Sequence, residues 1–279
     1  MNYRHAFHAG NFADVLKHLV LSRCIEHLKR KDKAFRVLDT HAGIGLYDLS
    51  SEEAQRTGEW RDGIGRVIDA SLPASVAGLA APWLDVVRSV NSGDAIGKYP
   101  GSPLVTRLLM RPQDRLTAIE LHPKDAETLK KRFAGDWQVR VIELDGWLAL
   151  GAQLPPKEKR GLVLVDPPFE EAGEFDRMLD GLSKAIKRWR GGTFALWYPI
   201  KDRIAVANFR GRLFSAGLGE GLDISLFIRK PGPAPRLDGC GMAMINPPFT
   251  LADEMKTALP SIGALLAEDG KARFQIDSF

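Results

Sequence analysis

Seven short apolar runs, most of them separated by stretches of helical periodicity, constrain this 279-residue chain more than any other feature. The runs cover 35–39, 116–120, 138–143, 161–165, 193–198, 222–228 and 242–245, with helical patterns at 124–133, 175–189 and 203–215 between them. Strands that alternate with helices build a parallel, doubly wound sheet. The last two runs depart from this rule. RKPGPAPRLDGCG joins them, a Pro/Gly loop without helical pattern, so that pair is expected to be antiparallel. Phe12, Val15, Leu16, Leu19 and Val20 recur at helical spacing ahead of the first run, which predicts an N-terminal helix packed on the sheet. The first two runs lie too far apart for a single crossover helix. The reading is therefore a main domain of residues 1–46 and 99–279 carrying an inserted, mostly helical subdomain at 47–98.

Composition sets outer limits. At 44% hydrophobic the chain can bury a sizeable core, and no apolar stretch is long and unbroken enough to suggest a membrane span. The N-terminus, MNYRHAFHAGNF, has no apolar segment of the kind that directs export, and Cys24 and Cys240 stand alone. Two reduced thiols in a cytoplasmic protein is the expectation. Lys and Arg number 39 against 35 Asp and Glu, a net charge of +4 that is compatible with a polyanionic partner but does not demand one.

Chemistry concentrates where the strands end. DTHAGIG, from Asp39 to Gly45, follows the first strand, and its glycines let backbone approach a nucleotide-like ligand. It is neither G-x-G-x-x-G nor a P-loop, and alone it is equally well a tight turn. Glu120 ends the second strand, where a carboxylate can accept both ribose hydroxyls of an adenosyl group. Asp145-Gly146 follows the third, placed to meet the adenine amino group. Each acid alone could be a helix cap. Three at the carboxyl ends of consecutive strands point to a bound adenosyl cofactor.

Asp166-Pro167-Pro168-Phe169, after GLVLV, carries the sharpest signal. The Asp166 carboxylate and the Pro167 carbonyl can both accept hydrogen bonds from an exocyclic amino group, and Phe169 offers a face for a flipped base. Such an amino nitrogen is a poor nucleophile because its lone pair is delocalised into the ring; two acceptors localise it. Asn246-Pro247-Pro248-Phe249 fits the same pattern, but it follows the antiparallel strand and should emerge at the opposite edge, where it reads as a strand terminator. Near the N-terminus His5, His8, Asp14 and His18 have spacings that could suggest zinc, yet nothing in this chemistry needs a metal. The favoured reading is a segment folded over the cofactor.

Seven strands with a terminal hairpin form the Rossmann-like fold of methyltransferases. Motif by motif the chain resembles the RlmJ family of bacterial 23S ribosomal RNA adenine-N6 methyltransferases: YRHAFHAGNFADVLKH, LDTHAGIG, RTGEW, YPGSP, ELHP, DPPF, ALWYP and INPPF span nearly its whole length. The resemblance implies a monomeric, cytoplasmic enzyme with a small helical insertion that takes S-adenosylmethionine and 23S ribosomal RNA; no metal is expected from the chemistry of the motifs. It places cofactor contacts at Lys17 or His18, His41, Ser102, Glu120, Asp145 and Gly146. Asp166 is the implied catalytic residue, also within reach of the cofactor, with Tyr3, His5, Pro167 and Phe169 toward the substrate. Phe169 departs from the family's usual Tyr, which keeps the stacking face and loses a hydroxyl.

Two rival readings share these motifs: a DNA adenine methyltransferase, and a silent RNA-binding protein with a relic pocket. Topology also predicts which charges meet RNA. Lys201, Arg203, Arg229, Lys230 and Arg236 follow strands five and six at the ligand edge, joined by Arg4. Lys157, Lys159 and Arg160 precede the fourth strand and belong at the far edge.

Overall fold

The computed structural model describes residues 4–93, 95–230 and 236–279. The chain enters through a single 3-10 turn, His5–Phe7, and then α1 (Phe12–Lys29). Asn11 caps α1, its side-chain oxygen accepting from the amides of Ala13 (2.9 Å) and Asp14 (3.1 Å). This helix is buried on nearly every side, including Asp14 and Lys17, so its charges must find partners inside the protein. After β1 (Arg36–Asp39) the chain makes β2 (Leu46–Asp48), four helices, α2 (Glu52–Thr57), α3 (Glu59–Asp62), α4 (Ile64–Val67) and α5 (Ala74–Ser89), and β3 (Lys98–Pro100), which pairs antiparallel with β2. Trp83 of α5, Ile64 of α4 and Tyr99 of β3 are fully buried in one core with Leu16 and Leu19 of α1. Truncating a leucine there would cost about 2–5 kcal/mol.

The remaining elements alternate as the sequence predicts: α6 (Ser102–Leu109), β4 (Arg115–Glu120), α7 (Pro123–Arg132), β5 (Val139–Glu143), α8 (Gly146–Ala152), β6 (Gly161–Val165), α9 (Glu174–Arg188), β7 (Thr193–Ile200), α10 (Arg203–Ser215), β8 (Gly221–Phe227), β9 (Gly239–Ile245), α11 (Leu251–Leu266) and β10 (Arg273–Ser278). The sheet order is β10-β8-β9-β7-β6-β1-β4-β5. From β5 to β7 all pairs are parallel; β9 runs antiparallel to both β7 and β8. The buried strand β6, GLVLV, is apolar without alternation because both its faces are covered, as central parallel strands require.

Beside the small β2-β3 pair, one element of the main sheet departs from the expected seven strands. β10 adds an eighth, antiparallel to β8 at the sheet edge. Its sequence, RFQIDS, is half-exposed and carries charges at Arg273 and Asp277, the composition of a protected edge strand rather than of a core run. Among the described residues no helix is long and apolar enough to cross a membrane.

Candidate active site

The carboxyl ends of the parallel strands open on a cavity of about 260 Å³. Backbone geometry shapes its floor. Gly43 and Gly45 have φ of +61° and +80°, and a Cβ on Gly43 would lie 2.2 Å from the Tyr47 hydroxyl. Gly146 begins α8 so close to the first strand's turn that a Cβ there would meet the Thr40 carbonyl at 2.4 Å. Asp145 caps this helix, accepting from the Trp147 amide at 2.7 Å, and still lines the cavity.

Glu120 is held from both sides. Its Oε2 accepts from the Gly43 amide and its Oε1 from the His122 amide, each at 2.8 Å, which fixes the carboxylate while leaving lone pairs toward the cavity. Burial raises its pKa. Ser102 Oγ donates to Asp39 Oδ2 at 2.7 Å; Asp39 is fully buried, which pushes its pKa up to about 7. His41 lines the cavity with its Nδ1 2.8 Å from Thr40 Oγ1, and burial pushes it down to about 4, so the ring is neutral at pH 7.

Asp166 stands on the seam between this cavity and a smaller one of about 80 Å³. Lys17 Nζ reaches Asp166 Oδ2 at 2.5 Å and Asp14 Oδ1 at 2.8 Å. Burial opposes a charge on Lys17, but the two carboxylates outweigh it and hold the ammonium well above the ordinary lysine range. Asp14 also accepts from the Gly10 amide at 2.8 Å and lies 3.0 Å from His5 Nε2, so His5, Asp14, Lys17 and Asp166 form one chain. Phe169, in the left-handed region at φ +52°, turns its ring into the smaller cavity, edge-on to Phe175 (5.0 Å) and Trp197 (5.9 Å). Pro167 is buried, and Pro168 lines both cavities.

The structure thus brings Lys17, His41, Ser102, Glu120, Asp145, Gly146, Asp166, His5 and Phe169 around two adjoining spaces. It separates His18 from them. That ring stacks on Tyr99, with Nδ1 2.8 Å from the hydroxyl, and lines neither cavity, so of the pair singled out by the motif it is Lys17 that reaches the site. Tyr3 lies outside the described residues. His5 and His8 address different carboxylates, Asp14 and Glu59. Among the predicted RNA-facing charges, Lys201 lines the smaller cavity, whereas Arg229 pairs with Glu268 and Arg236 with Asp238. Sequence reasoning missed Trp197 and the bridging role of Asp14. ALWYP carries the tryptophan near a strand end, a signal that was available; Asp14 stood out only in a zinc-like spacing, which says nothing of a bridge to Lys17.

A mostly parallel sheet with β9 reversed between β7 and β8, three acids on its ligand edge and an Asp-Pro-Pro-aromatic corner define a methyltransferase that takes S-adenosylmethionine. The cavity fits that group: Glu120 and Asp145 offer acceptors, and Gly146, lacking a side chain, lets the start of α8 close on Thr40 and His41 along the cavity wall. The chain belongs to the family described as ribosomal RNA large subunit methyltransferase D, RlmJ, whose profile it matches over residues 32–276. It is 42% identical over 271 residues to ribosomal RNA large subunit methyltransferase J of Escherichia coli, covering 97% of this chain and 95% of that one. The protein of the same description from Haemophilus influenzae is 40% identical over 279 residues, covering 99% and 98%. A crystal structure of a Legionella pneumophila protein superposes with a TM-score of 0.89 at 33% identity, covering 97% of this chain and 98% of that one.

Proposed function

We propose that the protein methylates the N6 amino group of an adenine in 23S ribosomal RNA. The observation that carries this reading is the position of Asp166 between a cavity with adenosyl-binding chemistry and an aromatic one that opens beside it. When bound, the cofactor supplies an electrophilic methyl group. Glu120 would hold its ribose, Asp145 and Gly146 its adenine, and Ser102, His41 and Lys17 the remainder, with Asp166 at its reactive end.

The chain's own part is to select and orient the nucleophile. A base leaves its stack at a cost of a few kcal/mol and is received by Phe169, with Trp197 behind it and His5 on the wall of the same cavity. Lys17 occupies Asp166 Oδ2, and Oδ1 carries no hydrogen bond among the described residues. That oxygen and the Pro167 carbonyl accept the two amino N–H groups, draw the nitrogen toward tetrahedral geometry and stabilise positive charge as it develops. The proton leaves afterwards, to solvent directly or through Asp166.

We read residues 47–98 as an inserted helical subdomain on a domain of 1–46 and 99–279, and the enzyme as a cytoplasmic, metal-free monomer. The engagement of His5 and His8 by separate carboxylates supports the absence of metal. The deciding experiment maps N6-methyladenosine in 23S RNA from cells with and without the protein, alongside the purified enzyme on duplex DNA. One site lost with the gene supports the assignment; methylation of DNA and not of ribosomal RNA overturns it.

A further inference from the structure

The second Pro-Pro-aromatic corner, Asn246-Pro247-Pro248-Phe249, stands at the opposite edge of the sheet because β9 runs against β7 and β8. It does more there than end a strand. Asn246, at φ +51°, donates both amide hydrogens to the carbonyls of Arg190 and Gly192, each at 2.8 Å, and its own carbonyl accepts from Thr193 Oγ1 at 2.9 Å. Its amide is therefore spent on tying loops together and cannot repeat the role of Asp166. The two prolines fix the backbone beyond it. On this rigid mount Phe249 is 78% exposed, the most exposed large apolar side chain among the described residues. The His27 ring meets it edge-on at 5.3 Å, and the Arg30 guanidinium lies 5.5 Å from its centroid.

Behind Phe249 is a cavity of about 540 Å³ lined by His27, Arg30, Lys31 and Arg160. No carboxylate lines it among the described residues. Cations after a helix often serve only to satisfy its last carbonyls. Here that duty falls to others: Arg160 donates to the Leu28 and Lys33 carbonyls, and Arg111 to those of Lys29 and Lys31. Arg30 and Lys31 remain exposed. His27 lines this wall, and its Nδ1 is shut from solvent with no hydrogen-bond partner among the described residues.

We infer that this corner is a second RNA contact, in which a base of the substrate strand stacks on Phe249 and its phosphate lies against Arg30 and Lys31. An exposed rigid ring beside cations without acids is the chemistry by which single-stranded nucleic acid is held without base-specific readout. The sequence alone assigns this edge ordinary solvated charge; the geometry assigns it a partner. The inference rests on the ribosomal RNA reading of the active site, since a substrate spanning both edges of the sheet must be a polymer.

The test compares wild type, Phe249→Ala, Phe249→Trp and the double variant Arg30→Ala/Lys31→Ala, all checked for unchanged melting temperature. Salt-titrated binding to a long 23S RNA fragment and kcat and KM for its methylation are measured, with adenosine monophosphate as a free-nucleotide probe. Phe249→Ala should weaken RNA binding roughly tenfold and raise KM with kcat unchanged, and Phe249→Trp should restore both. The double variant should flatten the salt dependence by about one to two units of slope. Wild-type affinity and slope in the variants overturn the inference, as does protection of the site by the free nucleotide with RNA binding unaltered. If wild type itself neither binds nor methylates the fragment, it is the proposed function that fails.

Discussion

Lys17, one turn into α1, donates to Asp166 at the end of β6 across 149 residues of sequence, at 2.5 Å. The contact fixes one carboxylate oxygen and leaves the other to the smaller cavity, so the direction in which Asp166 can accept a hydrogen bond is set by the N-terminal helix. Asp14, 2.8 Å from the same ammonium, keeps the pair from being a lone buried dipole.

Asp166→Ala should reduce methyl transfer by at least about a hundredfold, in line with loss of a preorganised transition-state partner, while cofactor affinity changes little. Asn246→Ala should leave kcat alone and lower stability by about 1–2 kcal/mol through its two lost backbone contacts. Single-turnover kinetics and thermal unfolding of the two variants decide it. Loss of catalysis in a folded Asn246→Ala would reverse the assignment of the two corners.

Glu120→Ala should weaken S-adenosylmethionine about tenfold or more, since a charge-assisted hydrogen bond is worth about 1.5–3 kcal/mol. Glu120→Gln should lose less, because its one carbonyl oxygen can still accept a backbone amide. Calorimetric titration would read both; an unchanged dissociation constant in Glu120→Ala would place the ribose elsewhere.

Gly146→Ala should harm cofactor binding and stability together. The added Cβ meets the Thr40 carbonyl at 2.4 Å and His41 Cε1 at 2.9 Å, and backbone on one side cannot rotate away. Overpacking of this kind costs about 1–3 kcal/mol. A melting curve that superposes on wild type would show that α8 is not seated as described.

Asp39→Asn should change how stability depends on pH. Burial raises Asp39 from 3.8 to about 7, so between those values the folded state binds the proton more tightly than the unfolded chain. Its contribution is present below about 4 and is lost as pH rises toward about 7. His18 and His41 are depressed to about 3 and about 4, so they shift the opposite way, but both proteins contain them and they cancel in the difference. The variant should therefore gain on wild type as pH is raised through this window, read as the difference in melting temperature without cofactor. A constant difference would sink the assignment of a shifted Asp39.

What the sequence showed and hid divides along physical lines. Glu120, Asp145 and Asp166 were legible because each ends an apolar run and the parallel topology carries every such end to one edge. The antiparallel turn of β9 was legible from a loop too rich in proline and glycine to be a helix. β10 escaped because a half-exposed strand of six residues has no core signal. α11 was not foreseen either, its pattern being interrupted by Pro260. Asp14 was legible only as part of a zinc-like spacing and Trp197 only as part of ALWYP: what each does depends on partners far away in sequence, and no local pattern encodes a meeting of α1 with β6 and β7.

The burial of Trp83 and Tyr99 against α1 bears on how such a protein can change over generations. A lineage could not shed the stretch between β2 and β3 as it might a surface ornament, because the helix that carries Lys17 would be left with a bare apolar flank. Nor could that stretch drift freely. The Tyr99 hydroxyl rests on His18, the residue next to Lys17, so a repacking around Tyr99 is felt one peptide away from the ammonium that orients Asp166. Residues that never meet a substrate here hold the aim of the one that does.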